Sequence, residues 1–545
     1  MTRKKIVTIA FALASACAFA VEIDVPDLES RIRNSGAAIP QAAMPALAKP
    51  APAPLPTPVP EAAAPTVAPI AAESAPTPAV AAAPEASVPA ESGTPPVVGH
   101  VAVAAGRPGL IGGNISVSRE SGTEPGSSLG FAVDFSHDSV ADFGPSSGFS
   151  NPGYYSKKTS LSAALFGGPD GSSWKLSADV SERTDGLQGQ NAEYSSLTRR
   201  DMAFLADSGS IRLGDGPFAW SAALSGDVFS SGADKPGTLP PTTAIPGYAG
   251  YSLDPSLSIS FAQGAFKALL TGRYSYNAVV ESPEAQAGRG TLSLSYAIGQ
   301  FLLAADVSAH GDGDDGFLAP FSAAVVWENA DIPLRRVSLA GGLSVDRVSC
   351  LDLADENPFI LLSGKPVWQA DWNGSLSARL VPFDALSLDA GAVFRASLPG
   401  RGMLAVSDDL APGNLYAVSR LERKSLVASA RGNWEGEGWN LAAEYEGEWL
   451  DRAWRDSLHS LTASGTVRDS SPRSIWSASA SSRFFLDAWD MPEISLTGTF
   501  RPAKALAISL LVSDLVPLAT GTRRTLKGPY VSSLGAVALS ARIDF

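Results

Sequence analysis

VALSARIDF, residues 537–545, ends the chain. Successive side chains of a β-strand point to opposite faces. Val537, Leu539, Ala541, Ile543 and Phe545 therefore share one side, and Ala538, Ser540, Arg542 and Asp544 the other. The first face is wholly apolar and closes on an aromatic ring; the second carries both charges. The same period of two recurs upstream. Leu257, Ile259 and Phe261 alternate with serines, as do Leu292, Leu294 and Tyr296. Leu386, Leu388 and Ala390 follow the pattern, and so do Ile494, Leu496 and Gly498. In the longest run, Leu441, Ala443, Tyr445, Gly447 and Trp449 alternate with Ala442, Glu444, Glu446 and Glu448.

A water-soluble antiparallel sheet alternates too. Three features select a membrane barrel instead. The strand-like segments are mostly about 9–13 residues, near the ~9–11 that cross a bilayer at a steep tilt. Turn residues separate them to the very end of the chain. Aromatic residues (Trp327, Trp434, Trp439, Trp449, Trp489 and Phe500) stand near segment ends, as interfacial girdles require. The fold class expected is all-β: a transmembrane antiparallel up-and-down barrel of about 20–22 strands.

Counting backwards from Phe545 assigns the loops. Termini of such barrels lie in the periplasm, with short turns there and long loops outside. Residues 516–532, 397–423, 348–370 and 229–254 become external loops, and Arg501–Lys504, Glu435–Glu437, Pro382–Asp384, Gly299-Gln300 and Gln263-Gly264 become periplasmic turns. About 21 strands follow from residue 109, and Val97–Ala105 supplies a first strand that makes the number even.

The rest of the composition narrows the function. The chain has 545 residues, 18% charged and 45% hydrophobic, with a net charge of −14. Nucleic-acid binders need a basic face, so nucleic acid is not an expected partner. Two cysteines, Cys17 and Cys350, and four scattered histidines leave no disulfide framework, metal centre or catalytic triad. No catalytic, cofactor or metal site is expected, and the chain does not read as an enzyme. Beyond the N-terminus no apolar run reaches the ~20 residues of a membrane helix.

The N-terminal fifth is different material. Arg3, Lys4 and Lys5, the apolar stretch Ile6–Cys17 and the small residues Ala18 and Ala20 read as a signal peptide over 1–20. Leu13–Cys17 offers a competing lipoprotein reading in which Cys17 is acylated. A short mature peptide follows over 21–36. In it Val21, Ile23 and Val25 alternate with Glu22 and Asp24, a pattern suited to adding as a strand to a periplasmic partner's sheet. Residues 37–106 hold 24 Ala and 16 Pro, a composition for an extended, disordered periplasmic linker rather than a folded unit. The barrel is assigned to 107–545.

The terminal strand 537–545 resembles the closing strand of Gram-negative outer-membrane barrels, and that resemblance implies recognition by the barrel-assembly machinery. FRPAKALAISLLVSDLVPL, from Phe500, is similar to the penultimate strand of TonB-dependent receptors, with Asp514-Leu515 where that family usually has Asn-Leu. Gly528-Pro529-Tyr530 is similar to the family's late loop, and Val21–Val25 faintly resembles its energy-coupling box. The family's folded plug has no counterpart, since the interval before the barrel is the Ala/Pro linker. The resemblance implies an outer-membrane location, contact with outer-membrane lipid and small solutes as cargo.

The leading functional expectation is a plugless pore for uptake or diffusion of small solutes, with Glu444, Glu446 and Glu448 lining part of its lumen wall. Two alternatives stay open: a surface adhesin or structural barrel tethered to the cell wall by its linker, and an energy-coupled receptor whose plug is supplied elsewhere. Smaller clusters carry less. His310, Asp312, Asp314 and Asp315 gather carboxylates that suit Ca²⁺ but miss the EF-hand spacing. Arg335-Arg336 and Arg523-Arg524 are ordinary basic pairs. His459 lies near Ser457 and Ser460, without a third residue to complete a triad.

Overall fold

A computed structural model of the chain describes residues 97–545 apart from 121–128, 143–153, 168–173, 189, 191–193, 215, 235–244, 246, 281, 313–315, 355–356, 411–413, 451–458, 470–474, 488–490, 523–529 and 531–534. The signal-peptide, docking-peptide and linker assignments up to residue 96 lie outside the described residues.

The described chain is a closed antiparallel barrel of 22 strands. Its first quarter comprises β1 (Val98–Arg107), β2 (Leu110–Arg119), β3 (Gly130–Asp142), β4 (Tyr154–Gly167), β5 (Trp174–Gly186) and β6 (Ser196–Asp207). Then come β7 (Phe218–Asp234), β8 (Tyr248–Gln263), β9 (Phe266–Val279), β10 (Ala285–Ile298), β11 (Phe301–Asp312) and β12 (Phe321–Glu328). The third group is β13 (Leu334–Val348), β14 (Val367–Phe383), β15 (Leu386–Ser397), β16 (Lys424–Gly436) and β17 (Trp439–Leu450). The last is β18 (His459–Arg468), β19 (Trp476–Phe485), β20 (Glu493–Ala503), β21 (Leu506–Ser513) and β22 (Ala536–Asp544). Each strand pairs with its sequence neighbour, and β22 pairs with β1 to close the ring. Strand structure begins at Val98, inside the stretch assigned from composition to the linker. This is the first strand that an even count requires.

Two short helices, α1 (Cys350–Ala354) and α2 (Leu515–Thr520), lie in loops, and a separate hairpin pairs Met403–Leu410 with Tyr416–Leu421. Tight turns cluster at the end that carries the C-terminus. Gly264 and Gly299 stand there at φ 59° and 58°, left-handed values that cost glycine little. The longest loops, 349–366, 398–423 and 514–535, are at the opposite, external end.

Alternation places the faces. Leu339 of β13 and its cross-strand partner Leu376 of β14 are 59% and 52% exposed, and such residues ring the barrel. So large a continuous apolar surface belongs in lipid, and a closed barrel leaves no unpaired backbone edge there. Phe266, Phe301, Phe383, Trp434, Trp476 and Phe500 stand exposed at the periplasmic strand ends, with Trp327 half-buried among them, forming one aromatic girdle. Trp449 stands at the external end, and Trp489 lies outside the described residues. The inner face bonds to itself across strands: Ser156 donates to Asp185 at 2.8 Å, Ser322 to Asp306 at 2.7 Å and Ser397 to Asp371 at 2.7 Å. Ser338 and Ser377 meet at 2.5 Å.

The two faces should respond oppositely to charge. Leu339→Arg places a guanidinium in lipid and is expected to cost about 2–4 kcal/mol near the midplane. Ser338→Arg, one residue away, faces the wet lumen and should cost under about 1 kcal/mol. Urea unfolding of the two variants in lipid vesicles checks this; equal losses would contradict the face assignment.

Candidate functional site

The alternation fails at one place, and that failure locates the site. Residues Val345 and Arg347 of β13, and Trp368 and Ala370 of β14, share parity with the lipid-facing Leu339 and Leu376. The register runs unbroken between them, so they inherit the outward face. Yet Trp368 is only 5% exposed and Ala370 only 1%. They pack with Ala287 of β10 and with Leu318. The Trp368 ring lies 5.2 Å from the ring of His310, and Arg347 Nη2 lies 3.9 Å from Asp312 Oδ2. His310 and Asp312 have the parity opposite to the exposed Leu303 and Val307 of β11, so they face inward. The outer face of one hairpin therefore rests on the inner face of its neighbours. The upper part of β13–β14 has left the wall and folded into the barrel mouth.

Local sequence explains the departure. β12 has only 8 residues and stops at Phe321, opposite Leu343, so β13 continues upward without that neighbour. Just below the departure Gly341 pairs with Gly374, and Gly342 pairs with Asn373. A Cβ on Gly342 would strike the carbonyl oxygen of Phe321. Glycines at a bend let a sheet turn sharply where side chains would collide.

The tip of this hairpin reaches across the mouth to the inner faces of β6–β9. Helix α1 buries Cys350 and Ala354 against Phe229, Tyr248 and Val279, on the inner faces of β7, β8 and β9. Tyr248 Oη donates to Gly364 O at 3.0 Å. Arg199, on the inner face of β6, donates from Nη1 to Ala354 O at 2.5 Å and from Nη2 to Pro358 O at 2.7 Å. Burial pushes the Cys350 thiol pKa up; the bond to Ser363 O opposes this, and Asp352 reinforces it.

Other external loops pack onto the same tip. Phe359, Ile360, Tyr416, Leu415, Tyr530 and Leu187 form one buried cluster, joined by Tyr194 and Leu197. The rings of Phe359 and Tyr530 stack 3.8 Å apart and 6° from parallel. Tyr416 N donates to Phe359 O at 2.8 Å, and Leu361 N to Tyr416 O at 2.9 Å. Tyr530 Oη donates to Asn414 O at 3.0 Å, and Asn414 Nδ2 to Gln190 O at 2.5 Å. Loops that follow β5, β13, β15 and β21 are thus tied together over the mouth.

The residues singled out from sequence fall as follows. Val537, Leu539, Ala541, Ile543 and Phe545 occupy the outer face of β22 and its end. Glu444, Glu446 and Glu448 share the inner face of β17, opposite Arg431, Ser429 and Val427 of β16. Glu444 thus faces a cation in register, and Glu448 is 2% exposed, sealed beneath the mouth. His459 lies on the outer face, its Nδ1 2.8 Å from Tyr445 Oη and its ring against Trp449, while Ser460 points inward and Ser457 lies outside the described residues. His310 and Asp312 serve the hairpin contact, and Asp314 and Asp315 lie outside the described residues. Arg336 meets Glu328 at 3.5 Å, and Arg523-Arg524 lies outside the described residues. Among the described residues no group of three or more His, Cys, Asp or Glu side chains is placed to hold a metal ion. The mouth cluster itself escapes a reading by period two. Its signal is Phe359-Ile360-Leu361-Leu362, an apolar run inside a loop assigned to the outside.

No protein-family model matches the chain, and no curated protein matches it. Solved structures do. The copper transporter OprC superposes with a TM-score of 0.61 at 11% identity, over 84% of this chain and 84% of that one. The FrpB iron transporter from Neisseria meningitidis gives 0.59 at 10% identity, over 82% and 81%. The siderophore receptor PirA from Pseudomonas aeruginosa gives 0.57 at 13% identity, over 83% and 81%. At these identities the likeness is one of fold: a closed outer-membrane barrel of the kind those proteins use.

Proposed function

We propose that this protein is an outer-membrane transport barrel for small solutes that works without a folded plug domain and is closed at rest by its own external loops. The observation that carries this reading is the pairing of a hydroxyl- and carboxylate-lined inner wall with a packed cluster over the external mouth. A wide barrel with a polar lumen holds water and passes solutes. The Ala/Pro composition of 37–106 cannot bury enough surface to fold as a plug. The likeness to copper and siderophore transporters supports a solute cargo without naming one.

This reading differs from an open pore, because the tip of β13–β14 stands where solute would enter. Of the three glutamates expected on the lumen wall, Glu444 stands in register with Arg431 and Glu448 is buried, so the wall is not a plain acidic surface. The packed outer loops favour a second reading, a surface-interaction barrel.

Proteoliposome uptake of graded sugars separates the two. The mature protein is expected to admit sugars slowly, and a variant lacking 350–363 to admit small ones at least tenfold faster. No uptake by either protein would leave the surface-interaction reading.

A further inference from the structure

We infer that the upper β13–β14 hairpin is a hinged gate and that Arg199, on the inner face of β6, is the latch that holds it closed. The inference rests on the transport reading above. Its hinge is the glycine line Gly341, Gly342 and Gly374, just above which the wall pairing runs out, at Leu343 on β13 and at Asp371 on β14. Beyond Leu343 β12 has ended, so the moving part breaks no ladder on that side when it swings; on the other side it gives up the main-chain bonds of Ala370 to Leu398 and Arg401.

The latch is a defined contact. Arg199 is 7% exposed, and its guanidinium reaches two main-chain carbonyls of the tip, one of them the last carbonyl of α1. The last carbonyls of a helix lack intrahelical partners and carry partial negative charge, so a cation there is favourable. A buried guanidinium is costly unless it is hydrogen-bonded, and these two bonds exist only while the tip is seated. With the tip withdrawn, Arg199 faces the wet lumen and is hydrated again. Its desolvation in the closed state offsets part of what the bonds contribute. Arg199 therefore adds a modest margin to a closed state that the packing of α1 and of the Phe359 cluster also holds.

The neighbouring residue supplies the control. Arg200 points to the outer face and pairs there with Glu182 at 2.7 Å, away from the mouth. A native reporter is also in place. Cys350 begins α1, is buried when the tip is seated, and donates from Sγ to Ser363 O at 3.2 Å.

The test is labelling of Cys350 by a membrane-impermeant maleimide added to the external face of proteoliposomes, with single-channel conductance recorded in parallel. The mature wild type should label slowly. Arg199→Ala should label about 10- to 100-fold faster, the range expected for losing hydrogen bonds made by a charged group. Its open fraction in a planar bilayer should rise in step. Arg199→Lys should fall between, and Arg200→Ala should match wild type. Heat-modifiable migration shows in each case that the barrel is intact; should Arg199→Ala lose it, the shorter, uncharged Arg199→Gln takes its place. Wild-type labelling and conductance in a folded Arg199 variant would overturn the latch. Faster labelling with no conductance, even in a variant lacking 350–363, would keep the latch and overturn the transport reading instead.

Discussion

Replacing Gly99 by leucine, or deleting Phe545, should leave the chain without a closed barrel. The ring closes only where β1 meets β22, and that seam ends in a reciprocal pair. Gly99 N donates to Phe545 O at 2.9 Å, and Phe545 N donates to Gly99 O at 2.9 Å. The Phe545 ring lies over Gly99. A Cβ placed there would stand 2.5 Å from Ser116 O and 2.8 Å from the Phe545 ring. Both are distances that something must move to relieve, and one partner is backbone. At the other end of the seam Gly106 is equally tight, its Cβ position meeting Val537 O. If the seam opens, two rows of N–H and C=O groups are exposed in hydrocarbon, at several kcal/mol for each unsatisfied group. Assembly should therefore fail altogether, with no graded loss. Gel migration of boiled and unboiled outer-membrane fractions measures it: wild type gives a heat-modifiable band, and Gly99→Leu should give none. Ala105→Leu, on the lipid-facing side of the same strand, should assemble normally. Comparing cells with refolding in detergent separates two roles of Phe545. Failure in both means the seam; failure in cells alone means recognition by assembly machinery. A full heat-modifiable band from Gly99→Leu would show that the seam tolerates a side chain there.

The barrel was legible because its physics is local. A lipid-facing apolar side chain every second residue is a constraint each strand meets by itself, so LSISF at 257–261 or VALSARIDF at 537–545 is informative without partners. Turns were legible for the same reason: Gly264 and Gly299 mark places where only two residues join strands. The strand count depended on Val98–Arg107, which alternates weakly because Ala102, Ala104 and Ala105 carry little contrast. Its placement followed only from the even number of strands that such a barrel requires. The mouth was not legible, because its constraints are between elements. Trp368 and Ala370 have a lipid-facing period, and nothing within β14 says that β12 ends early and lets them turn inward. Arg199 reads as a lumen charge until the segment it binds, some 155 residues later, is seen in place. Alternation assigns Glu444 and Glu448 to the same face of β17. What surrounds them depends on Arg431 and on loops, which alternation does not describe.

The last prediction concerns how the stability of the mouth relates to that of the wall. Phe359 and Tyr530 are 2% and 0% exposed and stack face to face, while Tyr416 tilts against Tyr530 at 5.8 Å. Truncating a buried aromatic typically costs about 3–5 kcal/mol, through lost transfer energy and the cavity left behind. Burial also holds the Tyr530 phenol well above its ordinary pKa, with Tyr416 adding to the effect, so the ring stays neutral in its pocket. Phe359→Ala combined with Tyr530→Ala should undo the loop cluster. Of the barrel ladders only β6 and β7 reach that cluster, through Leu197 and Ala233, and local openings in proteins occur below the global unfolding free energy. The double variant should keep its heat-modifiable band and its urea midpoint. External protease should now cut within 350–363 and 403–421, where the wild type resists, and conductance should rise toward that of the variant lacking 350–363. The two single changes should fall short of additivity, since either one removes the same ring-on-ring contact. Loss of the barrel band in the double variant would mean that wall and mouth fold as one unit. The loops would then be part of the scaffold, and a gate that moves independently of the barrel would be ruled out.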